Sequence, residues 1–171
     1  MQLTGNNFVL RGWRENDAAS LQKNANNRAV SATLLDRFPY PYTLADAEYF
    51  ISIKINEDPI TNFAIDINGE VVGVISVDMR ADIYRKTPLL GYWISTAHRG
   101  KGIITEAVKL IANYAFTHLD IICIQANTLG SNVASMRVLE KAGFVKQGIL
   151  PKSVIKDGEI FDEHLFTLHP L

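Results

Sequence analysis

The order of hydrophobic and polar positions along this chain predicts a central sheet with helices packed against it. Apolar residues at helical spacing predict helices at residues 15–25, 44–56 and 132–143. A longer helix follows Gly102, where one apolar stripe contains Ile104, Ala107, Leu110, Ile111, Tyr114 and Ala115. Short apolar or alternating runs predict the strands, at residues 8–13, 61–67, 70–78, 89–95, 121–127, 144–150 and 161–168. Strands interleaved with helices in this way are typical of an α+β (mixed α/β) fold.

Turn and cap residues support these boundaries. The Asn-Gly pair at 68–69 lies between two alternating segments and is the pair preferred by the type I′ turn of a hairpin. An Asp-Gly pair at 157–158 joins the last two strands in the same way. Asn132 and Gly143 are suited to cap and to end the helix between them. Two prolines make residues 34–43 a loop, because proline lacks a backbone donor and restricts the residue before it.

Composition restricts the class of protein. The chain has 171 residues, of which 47% are hydrophobic and 20% are charged, as expected for one domain over residues 1–171. A net charge of −1, with both signs interspersed, gives no basic footprint for nucleic acid. No apolar run is long enough to cross a membrane, and the N-terminus lacks the pattern of a secretory signal. The four histidines lack metal-ligand spacing, so no metal site is expected, and the single cysteine, Cys123, fits a reducing, cytoplasmic location.

A glycine-rich turn, HRGKG at residues 98–102, connects a predicted strand to the long helix. Two glycines one residue apart allow consecutive N–H groups to converge on an anion, and the helix behind them adds unpaired donors and a partial positive charge. The Walker A pattern is absent because Ile103 follows Gly102, and a GxGxxG fingerprint is absent because Thr105 stands at its third glycine. The turn therefore indicates either a pyrophosphate site of another kind or only a tight strand–helix connection.

Two longer segments carry a resemblance to a known family. Residues 91–116, GYWISTAHRGKGIITEAVKLIANYAF, and residues 132–150, NVASMRVLEKAGFVKQGIL, resemble the GNAT superfamily of acetyl-CoA-dependent N-acetyltransferases. Within it, the chain resembles the ribosomal-protein N-terminal acetyltransferases of the RimJ/RimL type. The resemblance implies a mostly antiparallel mixed sheet of six or seven strands, splayed between the strands at 89–95 and 121–127, with about four helices. It implies acetyl transfer from acetyl-CoA, as cosubstrate, to a primary amine, above all the α-amine of a protein or peptide N-terminus.

The same resemblance implies a cofactor site and the chemistry at its end. Backbone N–H groups would hold the pyrophosphate at Arg99, Gly100, Lys101, Gly102, Ile103, Ile104 and Thr105. Backbone groups at Trp93 and Ile94 would pair with the pantetheine arm, and one N–H there would polarise the thioester carbonyl. Asn127 and Asn132 would contact the cofactor, and Ser135 would contact it and donate a proton to the departing thiolate. From the residues alone, a helix cap also accounts for Asn132, and a solvent-facing hydroxyl also accounts for Ser135.

The sequence does not identify a general base. Leu89 and Leu90 stand where many relatives have a glutamate, and Ala97 stands where the glycine motif has Gln or Arg. The remaining candidates are Glu106, His98, Glu163 and His164, and none is assigned. At pH 7, deprotonating an α-amine costs about 1.1 kcal/mol, against about 4.6 kcal/mol for a lysine side chain. A site without a strong base therefore favours an α-amine as acceptor.

The acceptor side is expected around an aromatic loop at residues 36–43. Phe38, Tyr40 and Tyr42 are candidate acceptor-binding residues together with Tyr92, although the loop aromatics fit a rigid lid over the core equally well. Two alternatives stay open: transfer to a small-molecule amine (a polyamine, an aminoglycoside or an amino-acid-like compound), and a non-catalytic acyl-CoA-binding module. The expected partners are acetyl-CoA and an amine acceptor, without nucleic acid or membrane, and the chain is expected to be a monomer or a homodimer.

Overall fold

A computed structural model describes residues 1–170 and shows an open sheet of eight strands in the order β1-β2-β3-β4-β5-β6-β8-β7. The strands are β1 (Gln2–Thr4), β2 (Val9–Arg11), β3 (Asn62–Ile67), β4 (Glu70–Asp78), β5 (Leu89–Ile94), β6 (Ile124–Leu129), β7 (Val145–Lys156) and β8 (Glu159–Leu168). Five helices flank the sheet: α1 (Ala18–Ala25), α2 (Arg28–Ser31), α3 (Leu44–Lys54), α4 (Ile103–His118) and α5 (Val133–Lys141). Neighbouring strands are antiparallel except β5 and β6, which run parallel. Within residues 1–170, no helix has both the length and the apolar character needed to cross a bilayer.

The predicted mixed α+β architecture is confirmed, but two short elements raise the count above six or seven strands and four helices. β1 has three residues and α2 has four, so neither is long enough to show an apolar period. β1 forms by pairing with β2, and α2 is capped by the Asn27 side chain, which accepts from the Ala29 N–H at 2.9 Å. Some boundaries also shift: β6 is displaced from the predicted 121–127, and the first helix begins as a 3-10 turn at Glu15–Asp17.

Both predicted hairpin turns are confirmed. The pair at 68–69 has φ of 54° and 87°, and the pair at 157–158 has φ of 51° and 80°, as a type I′ turn requires at its central positions. The predicted ends of α5 are confirmed as well. Asn132 Oδ1 accepts a hydrogen bond from the Ser135 N–H at 3.2 Å, and Gly143 leaves the helix with φ of 97°.

Apolar clusters on both faces of the sheet hold the helices in place. On one face, α4 and α5 cover a cluster that includes the fully buried Phe63, Ile111, Ile124, Leu139 and Phe166. On the other face, α1 and α3 pack on a second cluster that includes Trp13, Leu21, Ile51, Val71 and Val74. This second cluster contains residues of β3 and β4 but none of β6, β7 or β8. On this face, helices therefore cover the half of the sheet that contains β3 and β4 but not the half that contains β6, β7 and β8.

One side of the β6–β8 half carries polar and half-buried residues. Along β6, the even-numbered residues are buried on the side of α4 and α5, and the odd-numbered residues point the other way and are exposed or half-buried. The register aligns these odd-numbered residues with half-buried positions of β8. We call this side the open face, defined by Gln125, Asn127, Leu129, Glu163, Leu165 and Thr167.

A buried charge cluster joins β2 to β3 and to the start of α1. Arg11 Nη1 and Nη2 donate to the two carboxylate oxygens of Asp17 at 2.8 Å each, and Arg11 Nε donates to Asp66 Oδ2 at 2.7 Å. All three residues are at most 6% exposed, and hydrogen bonding to Asp17 raises the pKa of Arg11. Loss of any partner would leave a buried charge uncompensated, so the cluster fixes the path of the chain around α1.

Candidate active site

The parallel strands β5 and β6 separate after a single paired position. Leu89 aligns with Gln125, whose N–H donates to Pro88 O at 3.0 Å, and no later pair joins the two strands. This confirms the splay expected between these strands. We call the space beyond the pair the gap. Backbone groups along its edges have no partner strand, so an extended ligand can pair with them as an added strand.

Backbone groups of β5 face the gap at every second residue. Ser95 N–H donates to Val72 O of β4 at 2.8 Å, whereas Pro88 O accepts from β6 on the opposite edge. Antiparallel alternation then turns the N–H and C=O groups of Tyr92 and Ile94 toward the gap. Two N–H groups at this edge therefore point into the gap.

Trp93 differs from its two neighbours. Trp93 lies opposite Val74, and its backbone groups form hydrogen bonds with β4. Of the two residues expected to offer a backbone N–H to the cofactor, Trp93 and Ile94, only Ile94 therefore faces the gap. The Trp93 indole packs on the opposite side of the sheet from α4 and α5, with its ring centroid 5.7 Å from that of Phe38. Tyr92, expected on the acceptor side, supplies the second N–H at the gap.

The glycine turn has the backbone that an anion site requires. Gly100 and Gly102 have φ of 73° and 77°, which residues with a side chain rarely adopt, and α4 begins at the next residue. The first helical hydrogen bond runs from Glu106 N–H to Gly102 O at 3.1 Å. Helix geometry therefore leaves the N–H groups of Ile103, Ile104 and Thr105 without an intrahelical acceptor. Together with the helix dipole, these donors suit a pyrophosphate.

Arg99 connects this turn to α2. Its guanidinium Nη2 donates to Ala29 O at 2.8 Å, so the side chain points at α2 and only the backbone of Arg99 belongs to the turn. Asn27 Nδ2 and Thr96 Oγ1, 3.4 Å apart, make a second contact between the same two segments. The backbone that would hold the pyrophosphate is thus tied to α2 and to its cap residue.

Ser135, the expected proton donor, lies beside Tyr92 at the edge of the gap. The Tyr92 hydroxyl oxygen is 2.7 Å from Ser135 Oγ and 3.4 Å from Ser135 O. Burial raises the pKa of Tyr92 to about 12. Asn132 caps α5, as the interpretation of this residue as a helix cap predicts. The structure therefore brings together two residues for which the sequence indicated separate roles.

Two buried polar atoms of β6 and β8 have no hydrogen-bond partner within residues 1–170: Thr128 Oγ1 and His164 Nδ1. The two residues face each other in the β6–β8 register, on the same side of the sheet as the Tyr92 ring. Sequence analysis did not identify Thr128, although a polar residue in the buried half of a strand was an available signal. Asn127 points the opposite way, onto the open face, where its Oδ1 accepts from Gln125 Nε2 at 3.1 Å.

The aromatic residues of the loop divide between the core and the surface. The Phe38 ring lies 5.0 Å from the Tyr42 ring and also contacts Trp93, so Phe38 reaches the end of β5. Tyr42 is 4% exposed and belongs to the cluster under α1 and α3, which favours the lid interpretation for this residue. Tyr40 is 48% exposed, and the Arg28 guanidinium lies 5.4 Å from its ring centroid.

A groove of ≈ 470 Å³ lies between this loop and the tip of the β7–β8 hairpin. Its lining includes Arg28, Ser31, Phe38, Tyr40, Ile155 and Lys156. Two ion pairs join its walls: Lys156 Nζ to Asp36 Oδ1 at 2.9 Å and Arg28 Nη2 to Asp157 Oδ2 at 3.5 Å. We call these two pairs the bridge.

The candidate bases occupy different environments. Glu106 Oε1 accepts from the Asn6 N–H at 2.9 Å, which ties it to the β1–β2 turn, and His98 Nδ1 lies 2.7 Å from Ser95 Oγ. His164 belongs to the side of α4 and α5, whereas Glu163 is on the open face, aligned with Leu129. Of the four, Glu163 is the carboxylate on the face where the aromatic loop packs.

Comparison with known proteins identifies the family. Residues 7–145 match the family model described as "Acetyltransferase (GNAT) domain". The chain is similar to Probable N-acetyltransferase YjcK of Bacillus subtilis, with 43% identity over 102 residues covering 58% of this chain and 56% of the relative. It is similar to the ribosomal-protein-serine acetyltransferase of Escherichia coli, with 32% identity over 107 residues covering 61% and 58%. The chain thus spans little more than half the length of these curated relatives.

The fold is shared with solved acetyltransferases. A structure of RimL, a ribosomal L7/L12 α-N-protein acetyltransferase in complex with coenzyme A, superposes with a TM-score of 0.86 at 18% identity, covering 99% of this chain and 98% of that one. At this identity the superposition establishes the fold alone. The family match, which covers well over half of the chain, establishes the family. The chain belongs to the GNAT family of acetyl-CoA-dependent N-acetyltransferase domains.

Proposed function

We propose that this chain transfers the acetyl group of acetyl-CoA to the α-amine of a protein or peptide N-terminus, by direct attack within a ternary complex. The observation that carries the proposal is the gap between β5 and β6, which lies between the glycine turn at the end of β5 and Ser135 at the start of α5. A cofactor with a pyrophosphate and an extended thioester arm fits an anion turn followed by two unpaired strand edges.

Acetyl-CoA would lie in the gap as an added strand. The N–H groups of residues 99–105 would hold its pyrophosphate, and the backbone groups of Ile94 would pair with the pantetheine arm. Asn127 and Asn132 lie on β6 and at the start of α5, on the other side of the gap. The thioester would then lie beside the gap-facing N–H of Tyr92 and the hydroxyl of Ser135.

The reaction needs no acyl-enzyme. The neutral amine nitrogen attacks the thioester carbonyl carbon, and a gap-facing N–H of β5 stabilises the oxygen as it becomes negative. The C–S bond then breaks, and the sulfur takes the hydroxyl proton of Ser135. The amine releases one proton to solvent on becoming an amide, and one proton from solvent restores the serine hydroxyl. Cys123 is a poor nucleophile because it is buried and desolvation raises its pKa.

The groove joined by the bridge is the candidate site for the acceptor, and amine chemistry favours a chain end there. Phe38 lines the groove, and its ring lies 5.7 Å from that of Trp93, so one residue of the lining reaches the end of β5. The bridge joins the two walls of this groove beside Phe38. The α-amine is also the easier nucleophile to deprotonate without a dedicated base. By their names, the ribosomal-protein-serine acetyltransferase and RimL act on ribosomal proteins, and RimL on an α-amine.

Ligand-dependent thermal stability tests the cofactor. Acetyl-CoA or CoA at a hundred times its dissociation constant should stabilise the protein by about 2.7 kcal/mol. For a chain of this size, that corresponds to a rise in melting temperature of roughly 5–10 °C. ATP and NAD at the same concentration should give no shift. Absence of a shift with every CoA species would make the glycine turn a purely structural connection and contradict the proposal.

Acetyl transfer to matched peptides tests the acceptor. One peptide has a free α-amine and no lysine, and its partner has the same sequence with a blocked N-terminus and one added lysine. Mass spectrometry should show acetylation of the first peptide only. Modification of the lysine alone, or of a polyamine or an aminoglycoside but neither peptide, would contradict the α-amine assignment. Binding of CoA without turnover of any amine would identify an acyl-CoA-binding module instead.

A further inference from the structure

We infer that Tyr92 is a positioning residue for Ser135: its phenol donates a hydrogen bond to Ser135 Oγ and leaves the serine hydrogen directed at the departing sulfur of CoA. The inference rests on the proposed function. It moves the Tyr92 side chain from the acceptor side of the reaction, where the sequence indicated it, to the leaving-group side.

The location of Tyr92 in the sheet supports this assignment. Its ring lies on the side of α4 and α5, packed against the apolar cluster there, whereas Trp93 and Phe38 pack on the opposite side. The sheet therefore separates the Tyr92 hydroxyl from the acceptor groove. The same residue turns its backbone N–H into the gap, so its two polar groups border the thioester from one edge.

The direction of the phenol hydrogen is assigned from the distances to its two neighbours and from relative acidity. The two polar atoms near the Tyr92 oxygen are Ser135 Oγ at 2.7 Å and Ser135 O at 3.4 Å. Ser135 Oγ is the nearer atom, and a phenol is a stronger acid than an aliphatic alcohol, so we assign the single phenol hydrogen to the contact with Ser135 Oγ. Since burial raises the pKa of Tyr92 to about 12, the phenol keeps this hydrogen at neutral pH.

With the phenol as donor, the serine has one free hydrogen and a stabilised oxygen. Asn132 holds the Ser135 N–H at 3.2 Å, so the residue is held at its backbone by the cap and at its side chain by Tyr92. As the serine proton moves to sulfur, Oγ gains negative charge, and the hydrogen bond from the phenol becomes charge-assisted and stronger. A contact that strengthens in the transition state raises kcat without tightening substrate binding.

A purely structural role is the competing explanation, since a buried tyrosine hydroxyl usually has a partner. Tyr114 provides the matched control. It lies on α4, outside the site, and is 3% exposed. Its hydroxyl donates to Ile60 O at 2.9 Å. Tyr114→Phe and Tyr92→Phe each remove one buried phenol oxygen and keep the ring. Their effects on stability should be similar, and their effects on catalysis should differ.

The test compares four variants, Tyr92→Phe, Ser135→Ala, the double variant and Tyr114→Phe, in steady-state acetylation of the free α-amine peptide. We expect Tyr92→Phe to lower kcat by about tenfold, a part of the 10²–10⁴-fold that acid–base groups contribute. The KM for acetyl-CoA and the dissociation constant of CoA should stay within about twofold of wild type. In the Ser135→Ala background, Tyr92→Phe should produce no further loss. Tyr114→Phe should keep the wild-type kcat.

Three results would overturn the inference. The first is a wild-type kcat in Tyr92→Phe with a melting temperature lowered as in Tyr114→Phe, which would leave Tyr92 a structural role only. The second is a full additional loss from Tyr92→Phe in the Ser135→Ala background, which would show that the phenol acts independently of the serine. The third is a rise in the KM for peptide alone, which would return Tyr92 to the acceptor side. Failure of the wild type to acetylate any amine would instead refute the proposed function, and this inference with it.

Discussion

Lys156 Nζ lies 2.9 Å from Asp36 Oδ1, and this ion pair joins the tip of the β7–β8 hairpin to the loop that carries Phe38. The Lys156 side chain is 11% exposed and that of Asp36 is 82% exposed, so the ammonium is largely enclosed while its partner reaches in from the surface. Arg28 and Asp157 form the other pair of the bridge. The bridge closes the groove in which the acceptor peptide is proposed to bind.

Removing the Lys156 charge should weaken acceptor binding selectively. In Lys156→Met the apolar stem stays and the ion pair to Asp36 is lost. An ion pair of this exposure contributes up to about 1 kcal/mol, which corresponds to about a fivefold rise in the KM for peptide. The dissociation constant of CoA, measured by calorimetry, should not change. Lys146→Met is the control, because Lys146 is exposed on the same strand and forms no ion pair within residues 1–170. Equal peptide KM values in the two variants would separate the bridge from acceptor binding.

Gly102→Ala should impair cofactor binding through the backbone. The φ of 77° is unfavourable for alanine by about 1–2 kcal/mol, although an added Cβ would meet open space. Relief of this strain would move the N–H groups that open α4, so CoA affinity should fall by tenfold or more. Gly148→Ala is the matched control, since its Cβ also meets open space but its φ is not positive. Unchanged CoA affinity in Gly102→Ala, measured by calorimetry, would show that the turn does not hold the cofactor.

The rate should depend on pH through the acceptor. With an α-amine of pKa about 7.8, kcat/KM for the peptide should rise about tenfold per pH unit below that value and level off above it, because only the neutral amine attacks. Tyr92 should add no descending limb below pH 10, since burial raises its pKa to about 12 and the phenol stays protonated. Initial rates between pH 6 and 10 test both statements. A midpoint that stays in place when the peptide amine is replaced by one of different pKa would assign the dependence to an enzyme group.

The Arg11 cluster should dominate the polar contribution to stability. Arg11→Met leaves two buried carboxylates, Asp17 and Asp66, without their cation, and removing one partner of a buried pair costs about 3–5 kcal/mol. Arg37→Met is the surface counterpart, because Arg37 is 3.5 Å from Asp78 and their side chains are 76% and 42% exposed. Its cost should stay below about 1 kcal/mol. Urea unfolding of both variants measures the difference, and similar midpoints would contradict the structural role of the buried cluster.

Several parts of the fold and of the site were predictable because each depends on a few adjacent residues. The Asn-Gly and Asp-Gly turns adopt positive φ at both positions, and Asn132 caps α5, as local side-chain chemistry requires. The glycine turn adopts the expected positive φ at Gly100 and Gly102. The elements β1 and α2 were not predictable, since three and four residues show no period and form only where neighbours pair with them or cap them.

Sequence alone was sufficient for the longer helices, the hairpins, the glycine turn and the family, because periodicity and backbone preference act within one element. Long-range packing settled the rest. The registers of β4, β5 and β6 determine where β5 separates from β6. They also determine that Ile94, and not Trp93, turns its N–H to the gap. Tyr92 and Ser135 are 43 residues apart and meet only because α5 packs over the face to which the register of β5 turns the tyrosine ring. A shift of one residue in that register would place the ring on the other side of the sheet.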